Sequence, residues 1–288
     1  MSEIGILKAI EGIRNPFLDG FFELVSFFGD KTAIVLIVAV IYFVFNKQLA
    51  QKLCFTVVFS SGVNGVFKNF ICRPRPFAVS DLKCTIPDTA TGYSFPSGHT
   101  QNSGAWSFTL ARASGKVVFF VFAAIIVIAV AFSRMYVGAH YLTDVICGAL
   151  IGAFLAILMS YLFDRAKSKT RFLLICALIL VPFGIIFLFS ADPHFDDFYK
   201  SLGMTLGLPA AIAFEKRFVN FGYGIPMWKK TLRVLIAVAV ALAVRGGMKL
   251  IYFTDNVCVC QLLHTLRYFA LVFLTMGVAP LGMKKFGL

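Results

Sequence analysis

Residues 117–163 read VVFFVFAAIIVIAVAFSRMYVGAHYLTDVICGALIGAFLAILMSYLF, which is two long apolar runs joined by a short polar segment. The runs, 117–135 and 140–163, each approach the roughly 20 helical residues that cross the hydrocarbon core of a bilayer. An ionisable residue within or beside such a span is costly to bury and therefore indicates a functional site. Three of them lie at this junction: Arg134, His140 and Asp144. The stretch predicts an all-α membrane protein whose site lies where its helices end.

The composition of the whole chain supports this interpretation. Of the 288 residues, 59% are hydrophobic and only 14% are charged. Soluble globular chains average about 45–50% apolar and about 25% charged residues. The first residues, 1–13, lack the basic, apolar and small-residue pattern of a cleavable signal peptide. We therefore expect an integral membrane protein whose own apolar spans direct its insertion.

Further apolar runs predict more spans. A short amphipathic run at 16–29 either crosses the membrane or lies in its interface, and it brings the total to nine or ten helices. The other spans are expected near 32–46, 50–71, 98–113, 171–190, 200–214, 232–253 and 262–283. The sequence predicts a polytopic transmembrane bundle with a catalytic core, 1–163, and about four appended helices, 164–288.

The charges of the loops predict the orientation. Counting spans places the end of 50–71, the end of 117–135 and the start of 140–163 at one membrane face. Basic residues are spread over the loops of the opposite face. Because loops rich in Lys and Arg remain in the cytoplasm, that face is predicted to be cytoplasmic. The net charge of +13 is therefore a topology signal and not a nucleic-acid-binding patch. We therefore expect the site to lie on the extracytoplasmic face of the membrane.

The segment Pro96–Ser97–Gly98–His99 has the features of a helix start that binds an anion. Proline and serine commonly precede a new helix, with the serine as its cap. Glycine permits close approach of a ligand, and a helix N-terminus favours phosphate. His99 would lie in the first turn and point into the same space. A histidine at a helix start is also often a capping or packing residue.

His140 and Asp144 are spaced to interact. Four residues apart, they would share one face of a helix. The carboxylate can fix the imidazole tautomer, which leaves the other ring nitrogen as a nucleophile. The structural alternative is a buried His–Asp pair that only joins helices.

Several cations lie on the face where basic residues should be few. Lys68 lies at the end of the 50–71 span, Arg73 and Arg75 follow that span, and Arg134 ends the 117–135 span. Ammonium and guanidinium groups bind phosphoryl oxygens. Long cationic side chains that only extend to the interface are the alternative.

Together these motifs resemble the three-part signature of the type 2 phosphatidic acid phosphatase (PAP2) superfamily. The parts are Lys68-x6-Arg75-Pro76, Pro96–Ser97–Gly98–His99 and Ser133–Arg134-x5-His140-x3-Asp144. The helices around them, 30–163, fit the six-helix core of that family, and the appended helices lie outside it.

The resemblance implies a role for each residue. His140 would attack phosphorus and form a phosphohistidine, with Asp144 orienting it. His99 would protonate the leaving oxygen and then help to activate water. The residues implied to hold the phosphoryl oxygens are Lys68, Arg75, Ser97, Gly98 and Arg134. No metal or other cofactor is implied, since cations occupy the positions a metal would fill.

The expected function is therefore metal-independent hydrolysis of a lipid phosphate or diphosphate. Polyprenyl diphosphate is the first choice, and phosphatidic acid, phosphatidylglycerol phosphate and sphingoid-base phosphates also fit. The alternatives are a phosphotransferase that uses the same intermediate and a non-catalytic lipid-phosphate binder or transporter. Vanadium haloperoxidases share the motifs but are soluble. The expected partners are the lipid and the bilayer, and the oligomeric state stays open.

The appended helices carry unusual charges. Arg245 and Lys249 share a helical face, and His264 and Arg267 follow on the next helix. They either pair with acidic residues of the neighbouring loops or form a secondary anion contact for the distal phosphate of a diphosphate.

Overall fold

A computed structural model describes residues 2–248 and 255–288, and neither range contains a β-strand. Three of the helices continue into π-helical turns, and the long loop 72–97 separates the fourth helix from the fifth. The helices are α1 (Glu3–Glu11), α2 (Pro16–Phe27), α3 (Lys31–Val40, continued by Ile41–Phe45), α4 (Lys47–Ile71), α5 (Gly98–Ser114), α6 (Val117–Tyr136), α7 (Leu142–Arg165), α8 (Lys169–Leu188), α9 (Asp196–Phe214, continued by Glu215–Val219), α10 (Met227–Gly247), α11 (Val257–Val272, continued by Phe273–Val278) and α12 (Ala279–Lys285). The predicted all-α fold is confirmed.

Fewer helices have the length and composition of a membrane span than the nine or ten predicted. In the described ranges four qualify, Val117–Tyr136, Leu142–Arg165, Lys169–Leu188 and Val257–Lys285. A fifth is added if α2 and α3, which are bent by 49°, count as one span. The predicted spans 50–71, 98–113 and 200–214, and the described part of 232–253, also form helices. Helix α5 illustrates why such helices are less apolar, since ten of its residues are buried in the protein, polar ones among them.

The chain divides into two compact units. The first contains residues 1–34 and 63–161, and the second contains 35–62 and 162–288. The second unit thus includes a segment that the sequence prediction assigns to the catalytic core. The predicted boundary between the catalytic core, 1–163, and the appended helices, 164–288, stays a prediction.

In the first unit, small residues let α7 approach α5 closely. A Cβ on Gly152 would lie 2.2 Å from the carbonyl oxygen of Gln101, and one on Gly148 would lie 2.6 Å from that of Ser97. Contacts between backbones of this kind are typical of helix packing in membranes. They place the first turn of α5 against α7, which carries Asp144.

Helix α1 packs over the ends of α6 and α7. Leu7 is buried in a cluster with Leu82, Met135, Tyr141 and Val145. Two polar contacts add to this packing, because Arg14 donates to the carbonyl oxygens of Tyr136 at 2.8 Å and Lys83 at 2.7 Å. The N-terminal helix is therefore part of the first unit's core.

The second unit has its own glycine contacts and ion pairs. A Cβ on Gly203 would lie 2.2 Å from the carbonyl oxygen of Thr265, so α9 and α11 approach closely. Lys47 and Glu215 form a largely buried pair at 2.7 Å. All seven cysteines are free thiols.

Candidate active site

The site lies in the first unit, where the ends of α4 and α6, the start of α5 and the loop before α7 meet. Arg75 is buried, and its guanidinium donates to the carbonyl oxygens of Thr91 at 2.6 Å, Gly92 at 2.9 Å and Ala139 at 3.0 Å. The Nη1 atom of Arg75 lies 3.3 Å from Nε2 of His140. Residues 91–92 of the loop before α5 and residues 139–140 before α7 therefore meet at one guanidinium.

Lys68 lies in the last turn of α4 and donates to the carbonyl oxygen of Tyr93. Arg134 is fully buried at the end of α6 and donates to Oγ1 of Thr89 at 3.1 Å from both Nη atoms. No described residue accepts a hydrogen bond from its Nε. With Arg75, these three cations all face oxygens of residues 89–93, which we call the loop oxygens.

The start of α5 is held by both neighbouring helices. Asn64 of α4 donates to the carbonyl oxygen of Pro96 at 3.2 Å and to Oε1 of Gln101 at 2.8 Å. The amide of Ser97 donates to the carbonyl oxygen of Asp144 at 2.9 Å. Ser97 is the N-cap residue of α5, as predicted, but its hydroxyl forms no capping bond to the helix backbone and instead accepts from the Thr100 hydroxyl at 3.0 Å.

His99 lies in the first turn of α5, as predicted, and is partly exposed. It packs against the turn between α2 and α3, where a Cβ on Gly29 would lie 2.5 Å from the His99 carbonyl oxygen. Asp30 in that turn has Oδ2 4.0 Å from Nε2 of His99. His99 is also within electrostatic range of His140 and Arg134.

His140 and Asp144 do not share a helix, contrary to the prediction. Helix α6 ends at Tyr136 and α7 begins at Leu142, so His140 precedes α7. Gly138, with φ of +75°, supplies the left-handed backbone that turns the chain between them. The side chains still meet, since Nδ1 of His140 lies 3.4 Å from Oδ2 of Asp144.

Asp144 is fully buried and highly coordinated. Its Oδ2 accepts from the Tyr141 amide at 3.0 Å and from the Ser94 hydroxyl at 2.5 Å. Its Oδ1 accepts from Nη1 of Arg73 at 2.8 Å. The carboxylate is therefore fixed in orientation beside the imidazole.

The surroundings of His140 favour the neutral imidazole. Burial lowers the pKa of His140 well below its ordinary value, and the positive charges of Arg75 and Lys68 lower it further. An Nδ1–H directed at Asp144 would leave the Nε2 lone pair on the side of the cations. The surroundings thus favour an unprotonated ring nitrogen next to positive charge.

Ser94 and Glu3 are not among the site residues predicted from sequence, and Arg73, predicted with the cations that a phosphate site would explain, binds the carboxylates of Asp144 and Glu3. Nothing in the sequence pattern marks Ser94 or Glu3, because their contacts with Asp144 and Arg73 span long stretches of chain.

Arg245, proposed as a secondary anion contact, is exposed on α10 of the second unit, and Lys249 lies outside the described residues. His264 pairs with Asp196 at 3.0 Å, as the alternative explanation expected. Residues 2–248 and 255–288 contain no group of three or more His, Cys, Asp or Glu placed to hold a metal.

Two family profiles match this chain. The profile of the PAP2 superfamily matches residues 49–168, and that of the PAP2 superfamily phosphatase transmembrane extension matches 199–288. A crystal structure of a transmembrane PAP2 type phosphatidylglycerolphosphate phosphatase from Bacillus subtilis has a TM-score of 0.47 and 24% identity, covering 58% of this chain and 86% of that one.

Two relatives are similar over most of their own length. The lipid A 4′-phosphatase of Porphyromonas gingivalis is 27% identical over 179 residues, which cover 58% of this chain and 75% of that protein. The undecaprenyl-diphosphatase BcrC of Bacillus subtilis is 30% identical over 173 residues, covering 58% of this chain and 84% of that protein. With the matched profiles, these similarities confirm the resemblance read from the motifs, and the chain belongs to the PAP2 superfamily as a membrane phosphatase.

Proposed function

We propose that this protein hydrolyses a lipid phosphate or diphosphate through a phosphohistidine on His140, without a metal ion. The main support for the proposal is that the two ring nitrogens of His140 face different groups, a carboxylate and a guanidinium. Nδ1 faces Asp144 at 3.4 Å, and Nε2 faces Arg75 at 3.3 Å. One nitrogen is held by an acceptor while the other is directed at a group that binds phosphate oxygens.

In the first step Nε2 of His140 attacks phosphorus, and the bond from phosphorus to the leaving oxygen breaks. Protonated His99 gives its proton to that oxygen, so the lipid product leaves as a neutral alcohol or a lower phosphate. Asp144 stabilises the positive charge that develops on the His140 ring. This division of labour is that of an oriented nucleophile with a separate general acid.

In the second step water attacks the phosphohistidine and the bond between nitrogen and phosphorus breaks. His99, now neutral, accepts a proton from the attacking water, which restores its starting charge. Inorganic phosphate is released and His140 is again neutral. The same residue acts first as acid and then as base, so the cycle closes without a further proton donor.

The cations would stabilise the transferring phosphoryl group. Phosphoryl transfer depends mainly on positioning and on offsetting the charge of the equatorial oxygens. Arg75, Lys68 and Arg134 already hold the loop oxygens of residues 89–93. We infer that substrate phosphate oxygens replace these acceptors, with the amide of Gly98 and the first turn of α5 completing the anion site.

The proposed substrate class is a lipid whose phosphate lies at headgroup depth, with polyprenyl diphosphate first. BcrC is named an undecaprenyl-diphosphatase and the P. gingivalis relative a lipid A phosphatase, so both names describe a phosphate on a long lipid. The loop from Phe77 to Phe95 has about 19 residues and carries no separate lid domain. We therefore expect an open site that accepts more than one headgroup.

We further propose that the site faces outward from a bacterial plasma membrane. The support is the distribution of charge in the sequence, because basic loops such as 164–171 are concentrated on the face opposite the site. Loops rich in Lys and Arg remain in the cytoplasm. Hydrolysis of a lipid phosphate by intact cells, or by right-side-out vesicles, would test this orientation.

The experiment that tests the function is a phosphate-release screen across lipid mono- and diphosphates. The purified protein should release phosphate from at least one of them, and His140→Ala should abolish the release. His194→Ala is a matched control, since His194 is an exposed histidine of the second unit. Release that survives in His140→Ala would remove the proposed mechanism.

A further inference from the structure

We propose that Glu3 is a positioning residue for the reaction and that it acts on His140 through Arg73 and Asp144. The proposal rests on the function above, since it requires His140 to be the nucleophile. It concerns a residue 65 positions or more from every signature motif. The N-terminal helix would then belong to the catalytic apparatus as well as to the core.

The carboxylate of Glu3 is held at both oxygens. Its Oε2 accepts from Nη2 of Arg73 at 2.6 Å. Its Oε1 accepts from the amide of Thr143 at 2.9 Å and from the Thr143 hydroxyl at 2.8 Å. Glu3 therefore contacts both the loop after α4 and the residue that precedes Asp144.

Arg73 connects two carboxylates. Nη1 donates to Oδ1 of Asp144 at 2.8 Å, while Nη2 donates to Glu3. The guanidinium also stacks over the ring of Tyr141, with its central carbon 3.8 Å from the ring centroid. A planar guanidinium fixed on one face and at two edges has little freedom to rotate. It therefore sets the plane of the Asp144 carboxylate.

The consequence reaches His140 through the second oxygen of Asp144. With Oδ1 engaged by Arg73, Oδ2 remains for Nδ1 of His140 and for Ser94. If Asp144 rotated, the tautomer and the direction of the imidazole would no longer be fixed. The chain Glu3–Arg73–Asp144 thus orients the proposed nucleophile from outside the phosphate site.

Charge gives Glu3 a second effect. Arg73 alone would offset the negative charge that Asp144 presents to the developing imidazolium. The Glu3 carboxylate balances Arg73, so the three groups together keep a net negative charge beside His140. Partial burial raises the pKa of Glu3, but hydrogen bonds from Thr143 and Arg73 outweigh it and lower the pKa overall. Glu3 is therefore ionised at neutral pH.

Helix α1 is attached by contacts that do not involve Glu3. Leu7 packs in the cluster at the ends of α6 and α7. Glu11, at the opposite end of α1 from Glu3, accepts a hydrogen bond from the amide of Lys83 at 3.0 Å and forms an ion pair with Arg14 at 3.1 Å. Glu11→Gln thus weakens the attachment of α1 without touching Arg73, which makes it the matched control.

The test compares steady-state and rapid-quench kinetics of the purified full-length protein on its best lipid substrate. Glu3→Gln should lower kcat by about tenfold, the lower range for losing an outer hydrogen-bond partner of a reactive side chain. KM should stay within about twofold, and phosphohistidine formation should slow in parallel. Glu3→Asp should recover part of the loss, and Glu11→Gln should match the wild type. Melting temperatures of all variants separate folding from catalysis.

A double-mutant cycle with Arg73 tests whether Glu3 affects kcat through Arg73. In an Arg73→Gln background, Glu3→Gln should change kcat by less than about twofold, because the connection is already broken. Full additivity, or equal losses for Glu3→Gln and Glu11→Gln, would overturn the proposal. If the wild type forms no phosphohistidine, the proposed function fails and this inference fails with it. If the wild type forms it and Glu3→Gln forms it at the same rate, only the Glu3 inference fails.

Discussion

Nη1 of Arg75 lies 3.3 Å from Nε2 of His140, while the same guanidinium donates to the carbonyl oxygens of Thr91 and Gly92. The proposed nucleophile is therefore adjacent to a cation whose present acceptors are main-chain oxygens. A phosphoryl group that takes over these hydrogen bonds would bring its phosphorus close to Nε2. Positioning of this kind is a large part of catalysis by phosphoryl-transfer enzymes.

The pH dependence of kcat/KM follows from the charge around His140. The ordinary pKa of histidine is about 6.5, and burial with Arg75 and Lys68 lowers the pKa of His140 well below it. The neutral, nucleophilic form is then retained as the pH falls through 6.5 and is lost only below the lowered pKa. The acid limb of kcat/KM, corrected for titration of the substrate, should lie below about 6.5.

Arg75→Gln should move that acid limb to higher pH, because it removes a positive charge that disfavours the imidazolium. The residual activity is expected to be low, since Arg75 also contacts the proposed phosphate site. Lys83→Gln, at an exposed lysine, is the control and should leave the limb in place. A limb that does not move in Arg75→Gln would contradict this account of the pKa.

Asp144→Asn should lower kcat by up to about 10⁴-fold, the loss known when the orienting carboxylate of a catalytic histidine is neutralised. The amide cannot hold the same tautomer, and it cannot balance the charge on the ring. Substrate binding should change little, because Asp144 is held by Arg73, Ser94 and the Tyr141 amide and has no proposed contact with the substrate. Asp81→Asn, at an exposed residue of the loop before α5, is the control. A loss confined to KM would disagree with an orienting role.

Chelation should leave the activity intact. The proposed charge stabilisation comes from Lys68, Arg75 and Arg134, so no step depends on a bound ion. The measurement is phosphate release before and after dialysis against EDTA, with and without added Mg²⁺ or Zn²⁺. Abolition by EDTA with recovery on adding a metal would show that the cations do not carry the role assigned to them.

Arg245 tests the idea of a secondary anion contact, which stays a prediction. If Arg245 binds the distal phosphate of a diphosphate, Arg245→Ala should raise KM for diphosphates more than for monophosphates. Lys216→Ala is a suitable control, because Lys216 is an exposed cation of the same unit. Equal effects on both substrate types would eliminate this contact.

Much of the helical framework could be predicted because apolar run length is a local property. The predicted spans 117–135 and 140–163 correspond to α6 and α7 within two residues at each end. The number of lipid-facing spans could not be predicted as well. Helix α5 can carry polar residues because they are buried against other parts of the protein. A local stretch of sequence does not show which residues surround a helix.

The signature residues of the site could be identified from sequence, but their geometry could not. The shared helical face assumed for His140 and Asp144 is replaced by a loop, because Gly138 turns the chain before α7 begins. Contacts such as Glu3 with Thr143 join residues 140 positions apart, and a single sequence gives no signal for them. The loop oxygens that engage Lys68 and Arg75 are main-chain atoms, and Arg134 engages the hydroxyl of Thr89, so the pattern of charged side chains carries no information about them.

The most direct test of the account is rapid-quench trapping of the phosphorylated protein with ³²P-labelled lipid diphosphate. The account predicts an acid-labile, base-stable phosphate on the wild type, mapped by peptide analysis to His140. The label should be absent from His140→Ala and present in His194→Ala. A protein that releases phosphate at full rate with no label on His140, or with the label on another residue, would contradict the central claim.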